Sequence, residues 1–94
     1  MNAKDLTLNI AVNLGRIGRW ASEGKEQRVR QFLEETSEYL RLLEQTPRSD
    51  RFEPTFQSFI VSYRQLASDV RLDPLWADEM YTWANILTHR AQLA

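Results

Sequence analysis

The sequence has no cysteine, which excludes a disulfide framework, a thiolate nucleophile and a cysteine-bound zinc site. Glycine and proline number only three each, and no low-complexity tract or two-residue hairpin turn is visible. Aliphatic β-branched residues are few and scattered, so strands are not expected. No run approaches the ~18 consecutive apolar residues of a membrane-spanning helix. Charges of the two signs nearly cancel, leaving a net charge of −1. No overall field therefore draws the molecule onto nucleic acid or an anionic membrane. The opening residues Met1-Asn2-Ala3-Lys4-Asp5 lack the basic stretch and apolar segment of a secretory signal, so a cytoplasmic protein is expected.

What is present suits folding. The 94 residues suffice for one domain, spanning 1–94, and 43% of them are hydrophobic. Apolar residues recur at helical spacing in four segments, at about residues 5–22, 25–45, 51–69 and 74–93. The first carries Leu6, Ile10, Leu14, Ile17 and Ala21 on one face, and the second Val29, Leu33, Thr36, Leu40 and Leu43. In the third, Phe52, Phe56, Phe59, Tyr63, Leu66 and Val70 alternate steps of four and three. The fourth reads Trp76, Met80, Trp83, Leu87 and Ala91.

The breaks have chemical causes. Gly24 can close the first helix in a left-handed conformation, although a continuous helix kinked at Gly24 is the alternative. Pro47 forces Thr46 out of the α region and ends the second. Asp50 with Glu53 reads as an N-cap pair, unless Pro54 marks the first turn instead. Asp73-Pro74 pairs a capping carboxylate with proline at the first helical position. Short connections force sequential helices antiparallel, which predicts an all-α, up-down-up-down four-helix bundle.

Catalytic signals are weak. The only histidine, His89, belongs in the last turn of the last helix, where a cation is favourable and exposed. The arginine-to-histidine spacing of helical ribonucleases is missing, since Thr82, Trp83 and Ala84 stand at the required places. A di-iron bundle needs Glu-x-x-His pairs, but Ile86 precedes His89 by three. Glu34, Glu35 and Glu38 form a local acidic cluster, but Glu34 and Glu38 fall on the solvated face away from Leu33, Leu40 and Leu43. No phosphate loop or calcium loop is present, so neither cofactor nor metal is expected. An enzymatic role would need a polar pocket, with Tyr39, Tyr63 and Tyr81 the residues able to line one.

Two features rise above this background. Residues 16–30 hold five basic and two acidic side chains, a local charge of +3 in a chain of −1. Lys25 and Arg28 stand at the start of the second helix, where the macrodipole disfavours each cation by ~0.3–1 kcal/mol. The second feature is surplus apolar surface. Leu8, Val12 and Gly15 fall opposite the core stripe of the first helix, Trp20 lies at its edge, and Leu75, Ile86 and Leu93 form a second line on the fourth. Gly15 and Gly18 each lower helix stability by about 1 kcal/mol against alanine, a loss that close approach of a neighbouring helix would offset. The expectation is a non-enzymatic interaction or dimerisation module. It binds a protein partner or a second copy of itself through Leu8, Val12, Gly15, Arg16, Arg19 and Trp20, with Arg28 and Arg30 at the rim. The alternative is nucleic-acid or anionic-ligand binding through residues 16–30, although that segment lacks interleaved aromatics.

Overall fold

Helix α1 (Ala3–Ser22) begins where the Asn2 side chain accepts a hydrogen bond from the Asp5 N–H at 2.8 Å, two residues before the predicted start at Asp5. In the computed structural model, which describes residues 1–94, α1 is followed by α2 (Glu26–Glu44), α3 (Glu53–Ser68) and α4 (Pro74–Arg90), then a 3-10 turn at Ala91–Leu93. The protein is an all-α, up-down-up-down bundle of four helices.

Gly24 makes a turn rather than a kink. With φ at +72° it lets the Lys25 N–H reach the Trp20 carbonyl at 2.9 Å and its own N–H reach that of Ala21 at 3.1 Å. This doubly bonded left-handed ending satisfies carbonyls that the helix itself leaves free. At α4 the predicted cap is present: the Asp73 carboxylate accepts from the Trp76 N–H at 2.8 Å, and Pro74 opens the helix. The Asp50–Glu53 cap of α3 is not formed. That helix starts at Glu53 with Pro54 in its first turn, and the Ser49 hydroxyl accepts from the Phe52 N–H at 3.3 Å.

Glu53 is instead held by Arg48, whose side chain joins α2 to α3. Its Nε and Nη2 fork onto the two Glu53 carboxylate oxygens at 2.8 and 3.1 Å. Its Nη1 donates to the carbonyls of Leu43, Glu44 and Thr46 at 2.6, 3.1 and 3.2 Å, and so neutralises the negative end of α2. The guanidinium also lies 4.0 Å above the Phe56 ring, covering the core from solvent. Planar bidentate geometry of this kind is available to arginine and not to lysine.

Every residue of the α1 and α2 stripes, from Leu6 to Ala21 and from Val29 to Leu43, is buried. Phe52, just before α3, and Phe56, Phe59, Tyr63 and Leu66 within it join them, as do Trp76, Met80 and Leu87 of α4. Val70 and Trp83 are only half-buried. Buried polar atoms all find partners: Thr7 and Thr36 bond back to the carbonyls of Ala3 and Phe32, each at 2.7 Å. Leu72 takes a left-handed φ of 58° in the α3–α4 connection and still packs against the core.

The helices are not evenly spaced. α1 lies between α2 and α4 with backbones close on both sides, while α3 stands off, diagonal to α1 and separated by its large rings. Side-chain size is the reason. A Cβ on Gly18 would sit 3.1 Å from the Tyr81 ring and 3.2 Å from the Ala77 carbonyl oxygen, so glycine is what lets α4 come this close. Ala77 and Ala84 of α4, and Ala91 just after it, recur every seven residues and keep this side low. At Gly15 nothing lies within 4 Å of the same atom, so this glycine does not serve contact within the chain.

Two outcomes follow. Gly15→Ala should stabilise the fold by about 0.5–1 kcal/mol through helix propensity, whereas Gly18→Leu should destabilise it by about 1–3 kcal/mol by forcing α4 away. Thermal melts should move in opposite directions, by roughly 4–8 °C per kcal/mol at this size. Arg48→Met should lower stability by about 2 kcal/mol despite keeping the apolar stem. Hydrogen bonds from Arg48, then Gln57, hold the Glu53 carboxyl below its ordinary value of 4.5. Its contribution is therefore present above that value and lost as pH falls through the lower folded one. Glu53→Gln should flatten the acid side of the wild-type stability profile, measured by denaturant melts from neutrality to about pH 3.

Candidate functional site

The predicted surface residues lie on α1 and the start of α2, and the structure sorts them into two sets. At ~100° per residue, Asp5, Leu8, Val12, Gly15 and Arg19 fall within one arc of α1 that points away from Ile10, Leu14 and Ile17. Val12 keeps 52% of its surface exposed at the middle of this arc, and Leu8 is half-buried. Arg19 is largely exposed and reaches Glu23 one turn on at 3.3 Å.

The second set is a ladder across the α1–α2 groove. Trp20 and Phe32 meet edge to face with ring centres 4.6 Å apart, each half-buried. Arg16 lies 5.9 Å from the Phe32 ring centre and Arg28 lies 5.3 Å from that of Trp20. The order in space is Arg16, Phe32, Trp20, Arg28. Neither arginine pairs with a carboxylate, in contrast to Arg19, Lys25 and Arg30. Cation–π contact in a half-wet site is worth about 0.5–1 kcal/mol, which offsets the dipole penalty on Arg28 at the start of α2.

Arg30 does not join either set. It bonds Glu26 of its own helix at 2.9 Å and, with Glu34 and Ser37, lines a groove along α2 that Ala67 of α3 borders. Lys25 and Arg19 both hold Glu23, at 3.0 and 3.3 Å, and these hydrogen bonds, that from Lys25 first, keep the Glu23 carboxyl below its ordinary value. Part of the local positive charge is thus spent within the chain, leaving Arg16 and Arg28 as the cations without an acidic partner on this side. Phe32 is the residue that sequence spacing missed. It sits beside the core stripe of α2, and only the pairing of α1 with α2 sets it between Arg16 and Trp20. Asn13 was missed too; it is buried in the same groove and donates to the Glu35 carboxylate at 3.3 Å.

The other candidate residues do not converge. The Tyr63 hydroxyl is buried between α2 and α3, donating to the Leu33 carbonyl at 2.9 Å and accepting from Ser37 at 3.0 Å, and burial pushes its phenol up from the ordinary value. Tyr81 lies against Gly18 on the α1–α4 side, and no cavity is lined by two of the three tyrosines. His89 is exposed at the edge of a shallow groove with Trp83, Ile86 and Arg90. Of the second apolar line on α4, Leu75 is exposed while Ile86 and Leu93 are half-buried. No helix is long and apolar enough to cross a membrane.

Set against protein-family models, curated proteins and solved structures, the chain matches none. The surface chemistry of α1 and α2 is therefore what carries the functional reading.

Energetically the ladder is a surface feature laid over a structural one. Arg28→Gln should change stability by no more than about 1 kcal/mol, whereas Phe32→Ala should cost about 2–3 kcal/mol through lost ring contact. Chemical denaturation of the two variants, followed by helical circular dichroism, separates the contributions.

Proposed function

We propose that this protein is a non-enzymatic helical interaction module that docks another protein surface through α1 and the start of α2. The reading rests on one observation: an outward apolar line, Leu8–Val12–Gly15, runs beside Arg16 and Arg28, two cations held over aromatic rings without a carboxylate. A helix whose outer face stays apolar is one that something else covers. Arginine over aromatic rings, with its charge still free, is the composition of an interface centre rather than of a solvated surface. Arg19 lies at the end of the apolar line and Trp20 at its flank, so Leu8, Val12, Gly15, Arg16, Arg19, Trp20 and Arg28 form the docking surface. Arg30 is outside it.

A second reading, binding of nucleic acid or another polyanion, draws on the same ladder, because Phe32 joins Trp20, the one aromatic of residues 16–30, between the arginines. The net charge of −1 favours the protein partner.

The test is affinity capture from native lysate with the wild type and an Arg16→Glu/Arg19→Glu variant of unchanged helical content. Loss of the wild-type partners from the variant is the expected outcome. An unchanged set of partners would remove α1 as the docking face. Capture of nucleic acid, with affinity falling steeply as salt rises, would select the second reading.

A further inference from the structure

The outward face of α1 is complementary to itself. Asp5, Leu8, Val12, Gly15 and Arg19 follow one another at steps of three and four, the spacing of a helix–helix seam. Val12 stands at the centre, seven residues from a carboxylate on one side and seven from a guanidinium on the other. A two-fold axis passing Val12 at right angles to the helix lays α1 antiparallel on the α1 of another chain. Residues equally far from Val12 then meet, so Asp5 faces the second copy's Arg19 and the same pair forms again at the other end. Leu8 and Gly15 both lean toward α4, and such an axis keeps them on the same side of the seam. Each Leu8 side chain therefore rests against the bare backbone at the second copy's Gly15.

Three observations point to this occupant independently of one another. Gly15 weakens the helix, and no atom of its own chain lies within 4 Å of where a side chain would begin, so contact within the chain does not call for it. Asp5 has no cationic partner in the chain, and Arg19 has only Glu23, at a largely exposed contact that it can leave at small cost. Val12, at the axis, is about half exposed, as a residue awaiting its own copy would be. We propose that a second copy of this chain docks here, α1 against α1, antiparallel about Val12. The proposal rests on the reading of α1 as the docking face and names its partner. One helix face of ~30 Å covers less than the ~800 Å² per partner of a standard stable interface, so the association is weak, with a dissociation constant of roughly 10 µM to 1 mM.

Sedimentation equilibrium of the purified chain up to about 1 mM tests it. The wild-type mass should rise with concentration from 11.1 kDa toward twice that value. Asp5→Arg or Arg19→Asp alone should weaken association about tenfold, since each places two like-charge pairs in the seam, and the reciprocal double variant should recover to within about threefold of wild type. Gly15→Gln should also block association while helical circular dichroism and cooperative melting persist. A wild type that stays monomeric overturns the proposal. So does a dimer indifferent to either charge reversal, or a double variant as weak as the singles. If the wild type is monomeric and yet Arg16→Glu/Arg19→Glu still abolishes capture of a different protein, the second copy is excluded and the docking face survives. If capture is also unaffected, both fall.

Discussion

The distance between α1 and α4 is the constraint on which the rest of the bundle depends. Gly18 brings the α4 backbone within 3.2 Å of where a side chain would start, and the alanines at 77, 84 and 91 keep that approach open along the helix. Once α4 is this near, α1 is covered on one flank by α4 and on the other by α2. The large rings of α3 then have the remaining space, and the bundle becomes lopsided, with one tight pair and one aromatic wall. Small residues shorten the interaxial distance while aromatic ones lengthen it. A uniform set of leucines would have specified neither spacing so narrowly.

The connections do more than join helices. At Gly24 the left-handed ending turns the chain back so that Trp20 comes under Arg28. Between α2 and α3, Arg48 satisfies three carbonyls at the end of one helix and both carboxylate oxygens at the start of the next. Because its charge is matched on both sides and its face rests on Phe56, it can be nearly buried without a stranded charge. The Ser49 hydroxyl donates to the Leu93 carbonyl and ties the same loop to the chain's last turn. A small domain with no disulfide has to draw order in its loops from contacts of this kind.

The surface of α1 follows from its position. Enclosed on both flanks by α2 and α4, it has one free face, on which the apolar line Leu8–Val12–Gly15 runs between Asp5 and Arg19. The cations that do lie nearby divide by geometry: Arg19, Lys25 and Arg30 are satisfied locally, while Arg16 and Arg28 are turned onto rings contributed by the neighbouring helix. Charge pairing within one helix depends on spacing alone, but a cation–aromatic ladder between helices depends on how the two are docked.

That difference separates what could be read in the chain from what could not. Apolar spacing determined the four helices, their core stripes and their antiparallel order, because burial of a continuous stripe is a local and periodic requirement. Caps with a short side chain directly before the helix, as at Asp73-Pro74, were equally legible. The Asp50–Glu53 cap was misjudged because Arg48, five residues upstream, competes for the same carboxylate with a better geometry. The outward line of α1 was visible in sequence, since it is the complement of the core stripe. Which glycine serves the chain's own interior was not: Gly15 and Gly18 look alike in sequence, and only the place of α4 separates them. Likewise Phe32 came to stand between Arg16 and Trp20 only through the docking of α1 on α2. Periodicity assigns each residue to a side of its own helix. Tertiary structure alone decides what stands opposite, because that depends on the distance and rotation between helices, which side chains from all four set together.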